Sequence, residues 1–192
     1  MRDLAAYLAA FVADPVVTRA LGAALSVVLF AGAWQKLRDR ELFQAALDNY
    51  RLLPDALLRP AAILLPAWEI AAGALLLSAQ SRVAGAGLAA ALLLVVTGAV
   101  AINLWRGRRD FDCGCGGLSS HVGEQTLSWG LVGRNALLLA ALALSLGEDN
   151  ARLLVSIDYL SVAGATLALL GLYVSSNQLM ANHPRLQALR NY

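Results

Sequence analysis

The sequence predicts an all-α integral membrane protein, a polytopic bundle of about five transmembrane helices, and three observations lead there. Of its 192 residues, 59% are apolar and only 15% are charged, and the mean hydropathy is +0.62. A water-soluble domain of that size would lack the polar surface to cover itself, whereas a bundle in lipid can be apolar outside as well as inside. Finally, five apolar stretches reach the roughly 20 residues a helix needs to cross a hydrocarbon core. The expected surroundings are a lipid bilayer. A net charge of only +2 gives no nucleic-acid footprint.

Residues 1–15 carry Leu4, Tyr7, Leu8, Phe11 and Val12 at helical spacing, which predicts a short interfacial helix. A cleaved signal peptide is the rival, but the start is not strongly basic and no small-residue cleavage site follows the apolar run, so the segment is expected to stay. The first span covers about 17–36. Residues 37–53 then set Phe43, Leu47, Tyr50 and Leu53 on one side and Arg38, Arg40, Glu41, Asp48 and Arg51 on others, the pattern of an amphipathic helix lying on the membrane surface. The second and third spans, about 56–79 and 83–105, are joined by a tight reversal. A loop at 106–127 leads to the last two, about 128–147 and 153–179, and residues 1–192 read as one transmembrane domain.

Five spans put the head, the 80–82 turn and the 148–152 turn on one side. That side holds Arg2, Arg19, Arg82 and Arg152, four of the fifteen basic residues, and the other holds eleven. The excess of Lys and Arg on cytoplasmic faces therefore assigns the 106–127 loop to the cytoplasm. Trp34, Trp105 and Trp129 fall at the same interface, with Trp68 deeper, as an aromatic belt would.

The loop contains both cysteines, in Asp112-Cys-Gly-Cys-Gly-Gly117. Cys113 and Cys115, one residue apart, can close a small strained disulfide, and the glycines supply the backbone freedom it needs. Such a bridge is reducible and suited to exchange, and its short ring stabilises little. Arg108 and Arg109 favour the reactive thiolate while Asp110 and Asp112 oppose it, which leaves the balance open. The alternatives are two inert buried cysteines, or a zinc or copper site completed by His121 with Asp112 or Glu124. With one histidine nearby the metal reading is the weaker, and neither a metal nor another cofactor is expected.

Ionisable residues inside the spans form a second group. Glu69 lies well within the second span and Arg134 at similar depth in the fourth, with Lys36 ending the first. A charge at the centre of a bilayer costs about 2.5–3.5 kcal/mol on insertion scales unless it is paired or faces a wet interior. Glu69 can therefore pair with Arg134 or with Lys36. The pair either holds the bundle together or serves a proton step beside the cysteines, since oxidising a dithiol releases two protons.

The run Trp34-Gln-Lys-Leu-Arg, then Tyr50-Arg-Leu-Leu-Pro54, Leu65-Pro-Ala-Trp-Glu69 with Gly73, Asn103-Leu-Trp-Arg-Gly-Arg108, Cys113-Gly-Cys-Gly116 and Arg134-Asn135 resembles the MauE family, methylamine utilisation proteins related to DoxX-like membrane proteins. The resemblance covers about residues 20–145. It implies a DoxX-like four-helix core plus one span, in the bacterial inner membrane. It further implies maturation of a disulfide-rich secreted client, the methylamine dehydrogenase small subunit, together with a thioredoxin-like periplasmic partner, MauD-like. Combined with the residue reading, it ranks a thiol–disulfide oxidoreductase or electron relay first, with Cys113, Cys115, Glu69, Arg134 and Lys36 as its site. A non-enzymatic scaffold or transport factor for maturation is second, and a metal-handling membrane protein third. The periplasmic partner and the cytoplasmic charge count point to opposite faces.

Overall fold

The computed structural model describes residues 14–109, 111, 113, 114, 127–147 and 155–190, and among these all regular structure is helical. Six helices follow one another: α1 Pro15–Arg38, α2 Arg40–Tyr50, α3 Asp55–Leu77, α4 Arg82–Trp105, α5 Trp129–Ser145 and α6 Ser156–Arg190. The interfacial helix expected before α1 lies outside the described residues except for its end, where Asp14 caps α1 by accepting a hydrogen bond from the Val16 amide at 2.8 Å. Pro15 follows at the first helical position, where its missing N–H costs nothing.

α1, α3, α4 and α6 are each long and apolar enough to cross a bilayer. α5 is shorter, with 17 residues against the roughly 20 of a full crossing. The chain is thus a multi-pass helical membrane protein. The first helix runs through Arg38 rather than ending at 36, so the amphipathic segment is confined to α2, after a break at Asp39. It ends where Arg51 enters the left-handed region at φ 49°. The last helix begins at Ser156 and continues past the expected 179. Its start is fixed by Asp158, whose carboxylate accepts from the Val155 amide at 2.9 Å.

Neighbouring helices close a ring: α1 packs on α3, α3 on α4, α4 on α5, and α5 back on α1. α6 leans on α1 from outside, and α2 spans the end of the ring beside α1, α3 and α4. The core joins Leu25 and Leu29 of α1, Ala72 and Leu76 of α3, Ala86, Ala89 and Leu92 of α4 and Leu142 of α5. Small residues let the backbones approach, which matters in lipid because association there rests on close packing rather than on apolar burial. At Gly85 a Cβ would lie 2.6 Å from the Leu76 nitrogen, so α3 and α4 touch main chain to main chain. At the same end Arg82 donates to the Ser145 carbonyl at 3.4 Å and ties α4 to the end of α5.

Candidate functional site

The opposite end of the ring holds the cysteine loop. α4 stops in a Schellman arrangement: Gly107 takes φ 73°, its amide reaches the Leu104 carbonyl, and the Arg108 amide reaches the Asn103 carbonyl at 3.0 Å. Asn103 is fully buried and accepts from the Arg108 guanidinium at 3.3 Å, while that guanidinium lies 5.3 Å from the centre of the Phe111 ring. Phe111 meets Tyr50 edge to face with centroids 5.2 Å apart. Tyr50 donates its hydroxyl to the Cys113 carbonyl at 2.8 Å. Cys113 is itself buried, in a cluster with Tyr50, Val100, Leu104, Leu127 and Leu131. Phe111, Cys113 and Gly114 are therefore seated in the end of the bundle. Gly114 takes φ 64°, which disfavours any side chain, and a Cβ there would press on its neighbours, 3.1 Å from that of Ala46 and 3.3 Å from the Phe43 ring.

Cys115 lies outside the described residues, as do Asp112, His121 and Glu124, the further ligands of the metal alternative. Among the described residues no three His, Cys, Asp or Glu side chains gather as a metal site.

Of the two cations that could meet Glu69, the structure selects Lys36. Its ammonium contacts Glu69 Oε1 at 2.5 Å, with both side chains about nine-tenths buried. The Phe43 ring lies over the same ammonium at 5.7 Å. Glu69 Oε2 is buried and has no hydrogen-bond partner among the described residues. Arg134 instead reaches Asn177 of α6 and Asn135 beside it, each at 3.3 Å. Asn135 in turn donates to the Thr97 hydroxyl of α4 at 3.0 Å.

Lys36, Glu69, Arg134, Asn135, Cys113 and Gly114 all line one cavity of about 630 Å³ enclosed by the ring and α2. Four of the five residues that the sequence nominates thus share one space, and the fifth, Cys115, is their neighbour in the chain. The sequence does not single out Tyr50 and Asn177 as site residues. Tyr50 is legible only as a member of an amphipathic face. Asn177 carries a weak sequence signal, a lone amide following an apolar run in the last span. The tryptophans fit a belt: Trp34, Trp105 and Trp129 are exposed at this end, and Trp105 and Trp129 lie 6.4 Å apart. Trp68 is half-buried on the cavity wall and donates to the Leu88 carbonyl at 3.1 Å.

Comparison with known proteins adds the following. Residues 14–147 match the family model described as methylamine utilisation protein MauE. The chain is 43% identical over 141 residues to the methylamine utilization protein MauE of Paracoccus denitrificans, covering 72% of this chain and 73% of that one. It is 42% identical over 137 residues to the protein of that name from Methylorubrum extorquens, covering 71% and 72%. With the one from Paracoccus versutus it shares 37% over 127 residues, covering 66% and 67%. No solved structure matches.

Proposed function

The chain belongs to the MauE family, and from that premise we propose that it serves methylamine utilisation by maturing a disulfide-rich secreted client at the bacterial inner membrane through thiol–disulfide exchange at Cys113 and Cys115. The client is the methylamine dehydrogenase small subunit and the exchange partner a thioredoxin-like protein. The observation that carries the reading is the seating of Cys113 on the same cavity as the buried Lys36–Glu69 pair. A thiolate of the reduced partner attacks the Cys113–Cys115 disulfide, one sulfur–sulfur bond replaces another, and the proton that the attacking thiol loses needs an acceptor before it reaches the leaving cysteine. Glu69, with one carboxylate oxygen unpartnered, is suited to receive it. Lys36 pairs with that carboxylate within the bundle, and Arg134 organises the polar wall through two asparagines.

The test is to replace each cysteine by serine in the native host. The single variants are expected to insert and fold, because the helices are held by packing within lipid. They should fail in client maturation and trap a reductant-sensitive adduct with the thioredoxin-like partner through the surviving thiol. Full maturation by the Cys113→Ser, Cys115→Ser double variant would refute exchange and leave the scaffold reading in its place.

A further inference from the structure

The cavity has two features that thiol exchange alone does not use. Its wall is overwhelmingly apolar, and it includes Leu64 of α3 with Leu94 and Val95 of α4. These three are 65%, 60% and 56% exposed on the outer surface of the bundle, so the cavity meets the hydrocarbon of the bilayer. Among the described residues, by contrast, its charged groups are the Lys36–Glu69 pair and Arg134. The occupant that fits is a membrane-dissolved molecule with a long apolar body and a small neutral head. That head must accept hydrogen bonds from a cation and, in a second state, donate one to the unpartnered Glu69 Oε2.

We propose that this cavity binds an isoprenoid quinone as an exchangeable substrate, and that the quinone is the electron acceptor for the cysteine pair. The inference rests on the exchange reading above. Two thiols give up two electrons and two protons as the sulfur–sulfur bond forms, and the two quinone carbonyls take up both to become the hydroxyls of the quinol. Lys36 is the donor toward a quinone oxygen, and Glu69 Oε2 the acceptor for a quinol hydroxyl. A volume of about 630 Å³ lies within the roughly 300–1,000 Å³ of sites that bury a small organic ligand, so the ring is housed inside and the tail leaves through the lipid-facing side.

The experiment uses the full chain in quinone-free nanodiscs with Trp34, Trp105 and Trp129 replaced by phenylalanine, so that Trp68 on the cavity wall is the sole tryptophan. Decylubiquinone and a short-chain menaquinone are titrated separately while fluorescence is recorded. Saturable quenching is expected for at least one. A midpoint raised about tenfold or more is expected for Gly98→Phe, where a Cβ meets nothing within 4 Å, and for Ala61→Phe on the facing wall. The reduced protein with its cysteines should convert one quinone to quinol per dithiol, and the double variant none. Quenching that never saturates, or binding without quinol formation, overturns the proposal. The mixed disulfide with the thioredoxin-like partner separates the two readings: if it forms while quinone neither binds nor is reduced, exchange stands and the quinone site falls. If neither cysteine variant traps an adduct, the exchange reading falls, and the quinone role with it.

Discussion

At the scale of single residues, the burial of Lys36 against Glu69 governs what substitutions do. Removing one partner of a buried pair leaves an uncompensated charge, which costs about 3–5 kcal/mol, whereas replacing both by neutral groups is far milder. Lys36→Met should therefore lower the melting temperature in detergent sharply, and Lys36→Met combined with Glu69→Gln should recover most of the loss. Glu69→Gln alone leaves the buried Lys36 ammonium uncompensated, so it should lower the melting temperature as well as impair client maturation. Additive losses in the double variant would mean that the two side chains do not act as a pair. Had Arg134 been the partner, its loss would have stranded the carboxylate. With Arg134 bonded to Asn177 and Asn135, that consequence passes to Lys36. Tyr50→Phe deletes the bond to the Cys113 carbonyl, worth about 1 kcal/mol, and should speed alkylation of Cys113 with little change in helix content.

At the scale of helices, the contact of α3 with α4 gives the sharpest contrast. Gly85→Val has nowhere to go, because the nearest atoms are main-chain atoms of α3 at 2.6–2.7 Å. Two residues on, a Cβ at Gly87 meets nothing within 4 Å. Gly85→Val should destabilise the bundle by about 3 kcal/mol or more through overpacking. Gly87→Ala should be neutral, or stabilise by up to about 1 kcal/mol through helix propensity. Equal melting temperatures for the two variants would contradict the close approach. α6 differs from the other helices. Its 35 residues extend about 52 Å, well beyond a hydrocarbon core of about 30 Å, and it touches the bundle from one side only.

For the whole molecule, the all-α membrane class was legible because lipid demands apolar helices of a certain length, and composition reports that demand directly. What lay beyond sequence was which helix faces which. Protein and lipid neighbours are equally apolar, so α6 reads like a core span even though only 6% of its most apolar stretch is buried. The choice between Lys36 and Arg134 was illegible for a related reason, since both sit at similar depth and only packing separates them. The Cys-Gly-Cys block could be identified as a feature, but the seating of Cys113 by Tyr50 could not. Orientation remains a matter of charge, and the basic excess predicts that the loop end faces the cytoplasm. In a cysteine-free background, an impermeant maleimide should label Gln80→Cys in intact cells and Asn49→Cys only after lysis. The opposite result would face the loop toward a periplasmic partner. Gly114 rests on Phe43, and Phe43 covers the Lys36 ammonium, so a single ring stands between the loop and the ion pair. A protein that draws the loop outward uncovers that charge, and a change in the charge disturbs the seat of the loop. The two events are thermodynamically linked, and each must alter the equilibrium of the other by the same factor.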